Sequence, residues 1–295
     1  MSKLKKIIKG ILGPSWKILG PWYHGLRGLL AAVWFGFPAK KLYTIGITGT
    51  KGKTSTSIQL GRILNLAGCK TGYISSALIN LGDFNSDQFV SAQTCSGEII
   101  NDQKMSTLDP WTTQKYLRQM VENDCEYVVL EMSSQGLESK RHWGIFGFDA
   151  TMFLNMFPEH LDAHGGWENY RYAKSILFRN MRRPGLVIMN AEANEMQYML
   201  AAVNQPEAHT YLIQPEEDFK IIGDPSEVEK KVILEGEIVS TNFTADFEVF
   251  NLSMAYLSAK QILEEEILVE LVSQLKGVPG RMEWVVKAGE LVFKN

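Results

Sequence analysis

Apolar residues recur along this chain in short blocks whose period switches between two and about 3.6. Tyr43, Ile45 and Ile47 fall on alternate positions and predict a short buried strand. Over residues 55–66 the spacing of Ile58, Leu60, Ile63 and Leu64 predicts a helix. Residues 71–75 read as a second strand. Residues 78–105 are polar and irregular, with a hairpin expected near residues 89–100. A helix is expected over 112–123, with Leu117, Met120 and Val121 on one face. Residues 127–131 form a buried strand closed by a carboxylate, 150–155 another strand, 168–180 a helix and 186–190 a strand. From 210 to 251 the pattern is short strands with Gly and Pro turns, and 252–275 reads as helix. No internal repeat or low-complexity segment appears.

Strands alternating with helices predict an α/β fold, a doubly wound, mostly parallel sheet. Functional residues then gather at the C-terminal ends of strands, where Glu131, Asn155 and a glycine-containing loop all fall. That loop reads Gly49, Thr50, Lys51, Gly52, Lys53, Thr54, Ser55. Strand, glycine turn, Lys-Thr and helix make a phosphate-binding loop. Backbone N–H groups and the helix N-terminus face the phosphates, Lys53 supplies a point charge, and the Thr54 hydroxyl reaches Mg²⁺. The common spacing, Gly-x4-Gly-Lys-Thr, needs glycine at 47, where this chain has Ile47.

Bulk properties narrow the class. The chain has 295 residues, 45% of them hydrophobic, and a net charge of −3, as expected of a soluble protein of one large or two modest domains. Cys69, Cys95 and Cys125 are three scattered cysteines, which predicts reduced thiols and a cytoplasmic setting, not a disulfide framework or a zinc site. Residues 1–41 carry eight of the 30 basic residues and no acidic one, leaving 22 basic against 33 acidic beyond them, a net −11. That segment is also rich in Ile, Leu, Trp and Phe. Its longest apolar run, 29–37, is far short of the roughly 20 residues a membrane span needs. Gly13, Pro14, Gly20 and Pro21 are expected to break the segment, against a cleavable leader. Two readings of it stay open: peripheral contact with an anionic membrane surface, or packing on the following domain with solvated lysines. No nucleic-acid partner is expected.

Glu131 ends an apolar strand, where a carboxylate holds Mg²⁺ directly or through water. Residues 158–164 bring together Glu159, His160, Asp162 and His164. The two histidines at i, i+4 make a zinc pair conceivable, but the intervening residues lack the protease pattern. Lys174 lies among Ala173, Ile176 and Leu177 and by spacing alone reads as a snorkelling surface lysine.

Four segments in order then carry a resemblance: Thr-Gly-Thr-Lys-Gly-Lys-Thr at 48–54, Ser-Thr-Leu-Asp-Pro-Trp-Thr at 106–112, Glu-Met-Ser-Ser-Gln-Gly-Leu at 131–137 with Arg141, and Asn-Met-Phe-Pro-Glu-His-Leu-Asp-Ala-His at 155–164 running on to Tyr-Ala-Lys at 172–174. Phe250 and Asn251, and residues 277–283, match later landmarks more loosely. Over residues 42–285 the chain resembles the Mur ligases, most of all the subgroup that adds the third residue of the peptidoglycan peptide. The family's loop also lacks the distant glycine, which accounts for Ile47.

The resemblance implies an ATP-dependent amide ligase acting on a UDP-MurNAc-peptide, or a lipid-linked equivalent, and an amino acid. Lys53 and the loop would hold ATP, with Asn251 beside it. Thr54 and Glu131 would bind one Mg²⁺; His160 and a carbamylated Lys174 would bind a second. Catalysis would fall to Lys53, Lys174 and His160. Ser106, Thr107, Ser133 and Arg141 would contact the acceptor. Some positions depart from the pattern: Lys51 stands where asparagine is usual, Ser139 where a substrate-contacting glutamine is common, and Met254 where a second asparagine is expected. The expected organisation is a basic amphipathic segment over 1–41, an ATP-binding central domain over 42–276, and over 277–295 a linker and the cut-short start of a ligase domain. A uridine-gripping domain before the loop and most of that third domain are expected to be missing. The competing readings are the ligase-like subunit of a lipid-linked amidotransferase, which typically carries a four-cysteine zinc ribbon, and a non-catalytic, membrane-associated ATP-binding module.

Overall fold

The computed structural model describes residues 15–83, 97–159, 161–223, 230–278, 283–287 and 290–294. Its first element is α1 (Trp16–Trp34), which runs unbroken through Gly20 and Pro21, against the sequence expectation. Small residues on its inner face, Gly25, Gly28, Ala31 and Ala32, are buried against the body of the protein. That packing offsets the roughly 3 kcal/mol that an interior proline costs.

A 3₁₀ turn at Pro38–Lys41 leads into β1 (Tyr43–Thr48) and then α2 (Lys53–Leu66), β2 (Thr71–Ile74), β3 (Leu78–Asn80) and β4 (Glu98–Ile100). Next come α3 (Pro110–Glu122), β5 (Tyr127–Glu131), α4 (Ser134–Glu138), a 3₁₀ turn at Trp143–Ile145 and β6 (Phe148–Phe153). They are followed by α5 (Leu161–His164), α6 (Trp167–Arg179), β7 (Met181–Asn190), α7 (Met196–Ala201), β8 (His209–Ile213), β9 (Phe219–Ile222), β10 (Lys231–Leu234), β11 (Glu237–Ser240) and α8 (Asp246–Leu263). A 3₁₀ helix at Val269–Gln274 and the hairpin β12 (Glu283–Lys287) and β13 (Glu290–Lys294) complete the described chain.

The main sheet runs β4-β3-β2-β5-β1-β6-β7-β8. Six neighbouring strands pair in parallel; at one edge β3 pairs antiparallel with β2 and β4 antiparallel with β3. Alternate residues of β5 face opposite cores: Val129 joins Ile45, Ile58 and the helix α8, whereas Val128 and Leu130 join Leu117 of α3 and Leu177 of α6. Both faces are therefore covered, which explains why these strands are nearly continuous apolar runs. The expected doubly wound architecture is the one observed. β1 lies between β5 and β6, with Ile47 level with Glu131 and Thr48 level with Phe153. The ends of these three strands thus bring the glycine loop, Glu131 and Asn155 to one edge.

β7 begins at Met181, five residues before the expected 186, and both ends of α8 differ from expectation. The short-strand region ends before Asp246, where α8 begins. Glu248 reaches back to the backbone N–H groups of Thr244 and Ala245 (3.4 and 3.3 Å) and so caps the helix start. At the other end the helix stops at Leu263, not near 275. Glu264 takes a left-handed φ of 54°, and three successive glutamates at a helix C-terminus oppose its dipole. Of the expected hairpin near 89–100, residues 89–96 lie outside the described residues; 98–100 form β4. Cys95 also lies outside them, and Cys69 and Cys125 are free thiols.

Candidate functional site

The loop leaves β1 and turns into α2 at Gly52, whose φ is 81°. A Cβ on Gly52 would lie 2.2 Å from Oδ1 of Asn251 on α8, so both torsion and space demand glycine. Asn251 therefore sits against the loop, and is itself buried. Asn155, just past β6, clamps the loop from the other side. Its Oδ1 accepts from the N–H groups of Thr50 (3.1 Å) and Lys51 (2.9 Å), and its Nδ2 donates to the Lys51 carbonyl (3.2 Å). The Thr50 hydroxyl lies 2.9 Å from that of Tyr170 and accepts from the Phe157 N–H at 3.0 Å. With the Thr50 and Lys51 amides turned to Asn155, phosphate contact falls to the start of α2, where first-turn N–H groups point outward. The Lys53 ammonium donates to the Thr50 carbonyl at 2.9 Å. Lys51 is exposed and pairs with Glu159. Ser55 is half-buried on the first turn of α2.

Glu131 is 3% exposed. Among the described residues its carboxylate accepts from the Thr54 hydroxyl (3.2 and 3.1 Å) and from the Ser76 N–H (2.7 Å). The Ser76 hydroxyl completes a triangle, 2.7 Å from that of Thr54. A buried carboxylate with hydroxyl oxygens beside it and only neutral donors on it suits a hard divalent cation, so Thr54 and Glu131 fit Mg²⁺.

Lys174 is not the snorkelling lysine that its spacing predicts. It is 1% exposed on α6, donates to the Gly49 carbonyl at 2.7 Å and lies 4.6 Å from the Tyr170 ring centroid. Burial holds its amine well below the ordinary lysine range, Lys53 adds repulsion, and Glu159 opposes the shift. An amine with weakened hold on its proton is the form that adds CO₂, so the site fits a carbamate. His160 lies outside the described residues. His164 is engaged elsewhere, its Nε2 3.0 Å from the Ser134 hydroxyl and its Nδ1 3.0 Å from the Glu138 carboxylate. Among the described residues no cluster of three or more His, Cys, Asp or Glu is set to hold a metal.

On the remaining wall, the Thr107 hydroxyl accepts from the Ser133 N–H at 3.0 Å and lies 3.1 Å from the Ser133 hydroxyl. Arg141 donates to the Thr107 carbonyl at 3.0 Å. Ser133 also caps α4, accepting from the Gly136 N–H at 3.1 Å. One cavity of about 320 Å³ is lined by Thr50, Lys53, Glu131 and Lys174 together with Ser106, Thr107, Ser133 and Arg141. Ser76, Tyr170 and Lys104 also line it. Sequence reading singles out none of these three, since no local pattern marks them.

The model of the Mur ligase middle domain matches residues 47–259. The chain belongs to the Mur ligase family. Within that family, UDP-N-acetylmuramoyl-L-alanyl-D-glutamate--2,6-diaminopimelate ligase of Parabacteroides distasonis is 31% identical over 261 residues, covering 88% of this chain and 50% of that protein. A solved structure of a ligase of the same name superposes with a TM-score of 0.64 at 22% identity, over 85% of this chain and 50% of that one. Mycobacterium tuberculosis folylpolyglutamate synthase, solved with ADP and AMPPCP, gives a TM-score of 0.70 at 14% identity, over 92% of this chain and 67% of that one. At such identities the solved structures establish the Mur ligase fold. The chain spans about half the length of the curated relatives it matches.

Proposed function

We propose that this chain is the nucleotide-binding part of an ATP-dependent amide ligase of peptidoglycan precursor synthesis, which adds an amino acid to a UDP-MurNAc-peptide. The observation that carries this reading is the shared cavity: Thr50 and Lys53 of the loop, Glu131 with Thr54 bonded behind it, Lys174 and the Thr107–Ser133–Arg141 wall meet around one space. Lys53 and the α2 N-terminus hold the triphosphate, with Asn251 beside the loop. Ser106, Thr107, Ser133 and Arg141 orient the acceptor so that its carboxylate faces the γ-phosphate. Carboxylate oxygen attacks the γ-phosphorus and ADP leaves; the incoming amine then attacks the acyl carbon of the acyl phosphate, the acyl C–O bond breaks, and inorganic phosphate and the amine's proton are released. Thr54 and Glu131 would hold one Mg²⁺, and His160 with a carbamylated Lys174 would hold a second; bound there, the cations would supply positive charge against that gathered when carboxylate meets triphosphate. A lipid-linked precursor is the second reading of the acceptor, favoured by the exposed apolar face of α1.

The test has two arms. Mg²⁺-dependent ATP binding is expected, weakened about 10- to 100-fold in Lys53→Ala, the value of one charge-assisted bond to phosphate. Binding unchanged in that variant, with its fold intact, removes the loop from the reading. ADP release that requires UDP-MurNAc-dipeptide identifies the acceptor; release indifferent to it rules that acceptor out.

A further inference from the structure

Helix α1 has two unlike faces. His24, Gly25, Gly28, Ala31 and Ala32 turn inward and are buried. A Cβ on Gly25 would come within 2.7 Å of the Trp143 ring, and one on Gly28 within 3.2 Å of the Gly144 N–H, so the helix lies close on the body of the protein. Arg27 fixes it with a two-pronged contact to Asp109, at 2.6 and 3.1 Å. The other face is Ile18, Leu19, Trp22, Leu26, Leu30, Val33 and Trp34, exposed by 44 to 75%. From Ile18 to Trp34 every exposed residue is apolar. A helix meeting only water presents polar residues there, and a continuous apolar stripe of this kind marks a docking face.

We propose that this face docks into the interfacial layer of an anionic membrane, with α1 lying along the surface. Charge identifies the partner. Residues 1–41 hold eight basic residues and no acidic one, while the rest of the chain is net −11. Arg27 is engaged with Asp109; the other seven are lysines that flank the exposed stripe in sequence. A second copy of the chain would bring like-charged lysines together, whereas anionic headgroups neutralise them. Trp22 and Trp34, both exposed, suit the headgroup boundary. Among the described residues no helix is long and apolar enough to cross a membrane, so α1 lies on the surface and does not span it.

The attachment points of α1 adjoin the cavity. Asp109 is two residues from Thr107. Trp143, met edge-on by Trp22 at 5.5 Å, is two residues from Arg141. Docking therefore sets the acceptor wall near the lipid surface. It requires nothing of the ligase chemistry.

The whole chain is mixed with vesicles of phosphatidylcholine alone or enriched in phosphatidylserine, and sedimented. We expect pelleting with the anionic vesicles at low salt and release at high salt. Leu26→Glu with Leu30→Glu lowers the partition about tenfold or more, and Lys40→Gln with Lys41→Gln about fivefold per charge. All four positions are exposed, so the variants keep the wild-type urea midpoint. Equal pelleting with neutral vesicles, or pelleting indifferent to Leu26→Glu and Leu30→Glu, overturns the proposal. A monomer that ignores vesicles overturns it too. So does a concentration-dependent dimer that ignores them and is abolished by the leucine variants, which assigns the face to a second copy.

Discussion

Arg62 and Glu98 are as deeply buried as Glu131 and Lys174, yet the two sets of charges are partnered in opposite ways. The Arg62 fork meets the Glu98 carboxylate twice, at 2.7 and 2.9 Å. Its remaining nitrogen donates to the Lys276 carbonyl at 2.7 Å, and the Tyr73 hydroxyl donates to Glu98. Charge answers charge, and the pair joins α2 to β4 and to the segment at 276. Glu131, by contrast, accepts from neutral hydroxyl and N–H donors, and Lys174 donates to a neutral carbonyl, with Lys53 repelling it and Glu159 opposing that only as the smallest influence. A closed pair specifies packing. Buried charges left with neutral partners are costly in the free protein and become favourable when a cation and a triphosphate arrive.

The largest effect should come from breaking the closed pair. Arg62→Ala leaves Glu98 buried without its counter-ion and is expected to cost about 3–5 kcal/mol in urea unfolding. A loss below 1 kcal/mol would mean that Glu98 is neutralised or hydrated by other means, and the contrast with Glu131 would fail.

His142 sharpens the comparison as a buried group that gives up its charge. It is 4% exposed. Burial, reinforced by Lys140, pushes its pKa down from 6.5 to about 4. The unfolded chain binds this proton first, so stability is full above about pH 6.5 and declines as pH falls towards 4. The loss expected from this group is about 3 kcal/mol, seen as a falling urea midpoint across that window. In His142→Gln that part of the slope should vanish. A slope identical to wild type would assign the acid sensitivity to other groups.

What the chain reveals before folding follows the same division. The loop, Glu131 and the strands around them are written locally, as glycine spacing and apolar runs: β5 ends at Glu131 as its run does, β1 runs one residue past Ile47, and β6 lies two residues earlier than the expected 150–155. Helix α1 runs through Pro21 against the local signal because its stability comes from Gly25 and Gly28 against Trp143 and Gly144, more than a hundred residues away. Arg62 and Glu98 are 36 residues apart, and neither neighbourhood announces the other. Lys174 shows the limit most clearly. Its flanking apolar residues predict a snorkelling lysine, and only the ordered family motifs single it out. The fold then supplies the reason, by laying α6 so that the amine ends on Gly49. Ser76 and Tyr170 carry no signal of either kind, since each matters through a hydroxyl placed by tertiary contact.

The smallest expected change in stability is the most telling. Lys174→Met removes a buried amine and keeps most of its volume. The folded protein holds this amine below its ordinary pKa, so between its folded and unfolded values the unfolded chain binds more protons than the native state. Wild-type stability therefore rises with pH towards the unfolded value of about 10.5, and at pH 7 the lysine is a net cost. Against this stands the lost hydrogen bond to Gly49, worth about 1 kcal/mol. The variant should unfold within about 1–2 kcal/mol of wild type, on the stable side if desolvation dominates, and its alkaline slope should flatten. Acceptor-dependent ADP release, where wild type shows it, should be lost with fold and nucleotide binding retained. A loss of several kcal/mol, like that of Arg62→Ala, would place Lys174 with the structural charges and leave the second cation without its anionic ligand.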